Sequence, residues 1–127
     1  MASQPIVEEK IVGNVWFHKM TFRKAGDFKM GHKHNFDHAH MVCRGAIEAF
    51  EMRYEGDEWQ SAERISLGVF QEGDIFMVPK EVSHTIVALE DNTIGVCIQG
   101  VAEGEEEKMV SCFCNGEEWK TPTRIKL

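Results

Sequence analysis

The chain has no long apolar run, no cysteines in a C-x-x-C spacing, a single tyrosine and a deficit of positive charge. Each shortage excludes something. No stretch is long and apolar enough to cross a bilayer, and MASQPIVEEK at the start has no apolar core behind a basic end. A cytoplasmic protein with no membrane partner is expected. Lys and Arg number 14 against 21 Asp and Glu, for a net charge of −7, which argues against a surface built for nucleic acid. Cys43, Cys97, Cys112 and Cys114 lie in apolar, strand-like contexts and are expected as buried free thiols in a reducing compartment. Sustained helical periodicity, internal repeats and low-complexity tracts are missing as well. What 127 residues allow is one domain over 1–127, with a core that needs neither disulfides nor a structural metal. A metal in such a chain would be there for function.

Short runs of Val, Ile, Phe and Trp do occur, alternating with turn clusters of Gly, Asp, Asn and Glu. They predict an all-β chain with strands at 11–22, 36–44, 46–54, 64–67, 74–78, 84–89 and 93–99. Turn signals separate them at 55–58 (EGDE), 71–74 (QEGD) and 90–92 (EDN). Strands at this spacing suggest a sandwich or barrel. The acidic stretch 101–109, VAEGEEEKM, reads as a solvated loop or one exposed helical turn. After it, MVSCFC is a last apolar run, and the final segment is a strand or an arm lying across a neighbouring subunit.

Histidine is concentrated rather than scarce. GHKHNFDHAH, residues 31–40, holds four of the six histidines. His32 and His34 stand two apart, so in extended backbone both side chains leave one face with roots roughly 7 Å apart, close enough to converge on one ion. His38 keeps the same parity, and His84, in VPKEVSHTI, can supply a nitrogen from a distant strand. His40 shares the parity of His38 one step farther along. It is a candidate acid or base beside the ligands, or a buried histidine bonded to a neighbour. His18, in VWFHKM, is expected to be structural or on the surface.

The frame around these histidines is specific. Gly26 precedes His32 by five intervening residues, three separate His34 from His38, and Gly45 follows after six. Gly73 leads through DIFMV to Pro79, and His84 closes the second group. The pattern resembles the two motifs of the cupin family, motif one at 26–45 and motif two at 73–88. It departs from them at His38, where the family usually has Glu, at Glu81, where it has Gly, and at Ala88, where it has Asn. His38 makes the chain similar to the four-histidine subgroup of small single-domain cupins. The resemblance implies a cupin-type double-stranded β-helix, or jelly-roll, barrel. It also implies metal ligation by His32, His34, His38 and His84, and a homodimer joined through a sheet edge and exchanged terminal strands at 6–15 and 124–127.

Exchange of the carboxylate for a fourth imidazole leaves the full charge of a divalent ion uncompensated, and so favours an anionic ligand. Nitrogen ligation disfavours magnesium and calcium. One divalent transition metal per chain is expected, manganese or iron first, with nickel, copper or zinc admitted. Phe28, Met30, Phe36, Val42 and Phe76 are candidates to line an apolar pocket for a small-molecule ligand or substrate, or are barrel core. The resemblance points to a metal-dependent oxygenase, with a dioxygenase as the finer reading. The alternatives are a non-catalytic small-molecule or metal-binding module and, behind it, a cupin isomerase or lyase.

Overall fold

In the computed structural model the alternating pattern resolves into eleven strands and, among the described residues, no helix. Described are residues 2–34, 36–55, 58–80, 82–102, 104–105, 111–113 and 124–125; the side chains of 30–34, 53–55, 58–62, 111–113 and 124 are outside the description. The first strands are β1 (Ile6–Val12), β2 (Val15–Phe22), β3 (Phe28–His34) and β4 (His38–Arg44). The middle of the chain supplies β5 (Ala46–Glu55), β6 (Glu58–Gln71) and β7 (Ile75–Val78). Then come β8 (His84–Ala88), β9 (Thr93–Gly100), β10 (Ser111–Phe113) and β11 (Arg124–Ile125).

The single strand expected at 11–22 is two. Gly13 and Asn14 form a two-residue connection with Val12 opposite Val15, and Gly13 takes the positive φ of 60° that such a tight hairpin demands. β6 runs well past the expected 64–67. β3 forms although its sequence, FKMGHKH, carries no clean apolar alternation; pairing with β8 on one side and β10 on the other holds it.

The strands make two sheets, of order β11-β1-β2-β9-β4-β7 and β10-β3-β8-β5-β6. All neighbours are antiparallel except β1 and β11, which run parallel with Ile11 opposite Arg124. Alternation sets the inner faces: Trp16, Met20 and Phe22 on β2, Val42 on β4 and Cys97 on β9 meet Ile47 and Ala49 on β5 and Ile86 and Ala88 on β8. Each large side chain so buried is worth about 1.5–3 kcal/mol relative to exposure. At one margin Phe70 of β6 stacks on Phe76 of β7, with centroids 3.9 Å apart.

The motif glycines have a backbone reason: Gly26, Gly45 and Gly73 sit at φ of +92°, +79° and +91°. At Gly45 a Cβ would also collide with the Thr93 side chain. One expectation fails. Cys43 is exposed, because it has the outward parity of Met41 and stands where the β4–β9 register slips between Val42 and Arg44. Cys97 is buried as expected, while the side chain of Cys112 and all of Cys114 lie outside the described residues.

Candidate metal centre

His38, His40 and Val42 alternate along β4 with Ala39 and Met41, and all three inward positions are completely buried. His84 opens β8 on the facing sheet and is 1% exposed. The β3–β8 ladder places the Cα of His32 directly opposite His84, and the β8–β5 ladder places Glu51 on its other side. The two histidine motifs, far apart in sequence, are thereby joined along the backbone of β3 and β8, and the buried side chains of His38 and His84 bring them together in the interior. The side chains of His32, His34 and Met30 lie outside the described ones.

The rings of His38 and His84 lie 5.6 Å apart between centroids. Two imidazoles on one ion, with metal–nitrogen bonds of about 2.1 Å, each hold their centroid roughly 3.2 Å from it, so this separation lies within their joint reach. Nδ1 of His84 lies 3.2 Å from the carbonyl oxygen of Val82. A carbonyl only accepts, so Nδ1 carries the proton and Nε2 keeps its lone pair. That is how ligating histidines are commonly oriented. Among the described side chains alone, no three His, Cys, Asp or Glu form a complete metal cage. His38 and His84 are half of the expected set.

Burial pushes the imidazole of His38 down to about 3, reinforced by the neighbouring His84, His40 and His18 and opposed by a backbone hydrogen bond to Phe36. It holds His40 near 3, with His84 and His18 adding to the effect. His84 is lowered to about 4 by burial, against the Val82 bond. All three are neutral at ordinary pH, as ligation requires. Burial, with Glu9 nearby, pushes the Cys97 thiol upward, so it stays protonated.

The apolar candidates separate. Phe36 stands 5.8 Å from His38 and meets Trp16 edge-on at 4.9 Å. Phe76 stacks on His40 at 4.8 Å, Val42 is in the core, and half-buried Phe28 pairs with Val87 farther along β3. His40 is enclosed: its Nδ1 is 3.9 Å from Cys97 Sγ, and a Cβ on Gly95 would come within 2.5 Å of its Nε2.

Trp16 and Glu9, near the site, were not singled out from sequence, and His18 was read there as structural or on the surface. Trp16 is fully buried, with His38 at 5.8 Å and His18 at 6.2 Å between ring centroids. His18 is 2% exposed, and its Nδ1 lies 2.8 Å from Oε2 of Glu9 on the adjoining strand. Alternation in VWFHKMTF puts Trp16 and His18 on one face, a signal open to sequence reading. Glu9 needs the β1–β2 register, which pairs it with His18.

No family model and no curated protein matches the sequence. Solved structures do match the fold. An oxalate decarboxylase variant from Bacillus subtilis superposes with a TM-score of 0.54 at 18% identity over 76% of this chain. An oxalate oxidase gives 0.54 at 16% identity over 79%, and KdgF from Halomonas sp. gives 0.52 at 21% over 77%. The chain spans 24% of that decarboxylase, 46% of the oxidase and 79% of KdgF. At such identities the likeness is one of fold.

Proposed function

Since the chain is a cupin-fold, jelly-roll barrel, we propose that His32, His34, His38 and His84 hold one divalent transition ion. We further propose that the loaded barrel is an oxygenase for a small organic molecule. The observation that carries this is the β3–β8 pairing, which sets His32 opposite His84, together with the Val82 bond that leaves His84 Nε2 as an electron-pair donor. Manganese or iron is favoured; nickel, copper and zinc suit the same nitrogens.

When bound, the ion supplies a Lewis-acidic centre and, as manganese or iron, a partner for dioxygen. The chain supplies the rest. Neutral imidazoles leave the positive charge uncompensated, which selects an anionic, preferably bidentate ligand, and two of the structural neighbours bear names that specify oxalate. Trp16 and Phe36, packed edge to face beside His38, form an apolar wall that keeps bulk water from that side. For His40, enclosure by Phe76, Gly95 and Cys97 supports packing over proton transfer.

Purified protein is expected to carry close to one transition ion per chain by elemental analysis. His84→Ala should abolish tight binding, since His84 is the second motif's ligand. Protein that stays metal-free after exposure to manganese, iron, nickel, copper and zinc would overturn the reading. The loaded protein is then tested for oxygen uptake with oxalate, catechols, diketones and thiols. Metal binding without uptake across that panel would identify a binding module instead.

A further inference from the structure

The end of the barrel away from the histidines carries a recess of its own. Gly26 N–H donates to the carbonyl of Ala88, and Ala88 N–H donates back to that of Asp27. Asp27 therefore lies beside the last residue of β8, whereas His84 is its first, about 13 Å along the strand. The N-terminal arm is fastened at this end: Ser3 N–H donates to Asp27 Oδ1 at 2.9 Å, and the Ser3 carbonyl accepts from Phe28 N–H at 3.1 Å. Between the arm and the turn after β2 is a cavity of about 310 Å³, lined by Ser3, Gln4, Ile6, Arg23, Lys24 and Asp27. A space of that order holds a small molecule.

Its wall carries both signs of charge. Asp27 is 5% exposed, and the donors to its carboxylate are two backbone N–H groups, of Ser3 at 2.9 Å and Lys24 at 3.2 Å. An ionised carboxylate has about four acceptor positions, so acceptor capacity remains. Among the described residues no cation lies within ion-pair distance of it. A buried charge without a counterion is unfavourable, which makes an ammonium a favoured neighbour. Arg23, one residue past the end of β2, is exposed, and among the described residues its guanidinium has no carboxylate partner. Lys24 is drawn toward Asp91, 3.8 Å away. Ile6, 47% exposed at the start of β1, adds apolar surface. Away from any metal ion, a net charge of −7 disfavours a simple anion, but a molecule carrying both charges is neutral overall.

We propose that this cavity binds a small zwitterion, an α-amino acid with an aliphatic side chain, whose ammonium meets Asp27, whose carboxylate meets Arg23 and whose side chain lies on Ile6. The planar fork of a guanidinium matches a carboxylate, and the buried Asp27 sets the ammonium beside it. The site is separate from the metal-centred reading, and neither depends on the other.

Calorimetric titration of metal-free protein with three probes tests it. L-leucine carries both charges, isopentylamine is leucine without its carboxylate, and 4-methylpentanoate is leucine without its ammonium. Leucine should bind about three- to tenfold more tightly than isopentylamine, because the Arg23 contact is exposed and screened, and about tenfold more tightly than 4-methylpentanoate, because the Asp27 contact is buried. Arg23→Gln should weaken leucine and 4-methylpentanoate by about three- to tenfold and leave isopentylamine unchanged. Asp27→Asn should do the opposite, weakening leucine and isopentylamine but sparing 4-methylpentanoate; its amide oxygen can still accept one backbone N–H, and circular dichroism checks that it is folded. If that variant does not fold, the ranking of the probes on wild-type protein and the Arg23→Gln titrations decide. No heat of binding with leucine would overturn the proposal. So would 4-methylpentanoate equal to leucine, which marks an anion site, isopentylamine equal to leucine, which marks an amine site, or leucine affinity unchanged by Arg23→Gln.

Discussion

A single missing methyl group illustrates how tightly the interior is set. Gly95 carries no side chain where His40 Nε2 packs, so Gly95→Ala must displace that ring or move β9. Overpacking of this kind costs about 1–3 kcal/mol. Urea denaturation should show a loss of that size, and the loss should shrink when His40→Ala is already present, because neighbours that clash are coupled. Equal losses in both backgrounds would mean that the two positions do not compete for space. The residue-scale lesson about legibility comes from His18. Its parity with Trp16 was written in the sequence, but its partner Glu9 belongs to another strand and becomes visible only when register is known. His38 and His84, by contrast, were paired as candidates from their spacing within a local frame of turn glycines, and their rings do lie 5.6 Å apart.

Among elements, the margin between β6 and β7 stands apart. These strands end their respective sheets, and the Phe70–Phe76 stack joins them through side chains. Phe76→Ala would remove that stack and the support of the His40 ring together. The cost should fall somewhat below the roughly 3–5 kcal/mol of a fully buried phenylalanine, because Phe76 is only half-buried. A change within error by chemical denaturation would show that the margin is held by something else. Elements with apolar alternation, such as β4, β8 and β9, were readable with boundaries close to those observed. β3 was not counted among the strands because lysine, glycine and histidine interrupt it, and tertiary pairing overrides that weak local preference. The hairpin at Gly13 and Asn14 was hidden inside the single strand expected at 11–22.

For the molecule as a whole, buried neutral histidines make a prediction about acid. In the folded, metal-free protein His38 and His40 titrate near 3 and His84 near 4, all below the ordinary 6.5 of an unfolded chain. Between those values the unfolded chain binds more protons, so stability rises with pH across the interval. It should be fully present above about 6.5 and lost progressively as pH falls toward 4. Urea midpoints for metal-free protein at pH 7.5, 5.5 and 4.5 are expected to fall in that order; a flat series would contradict neutral burial. Association is the other property of this scale. Ile75 and Met77 are 65% and 61% exposed on the edge strand β7, an apolar edge of the kind that pairs chains. Sedimentation should show a dimer that Met77→Lys weakens, and a monomeric wild type would refute it. Within the chain, β11 lies against β1, so the terminal segment already has a partner in its own sheet.

The meeting of His32 with His84 across β3 and β8 also sets a timetable. These strands are separated by four others along the chain, and contacts of such long range form late, after the loop entropy between them has been lost. An ion that needs both motifs has nothing to grip in a chain still assembling. The affinity of the ion proposed above would then belong to the finished barrel and appear chiefly as slower unfolding, with refolding almost untouched. Unloaded barrels would therefore be the ones that open, making metal supply a determinant of how long each molecule lasts.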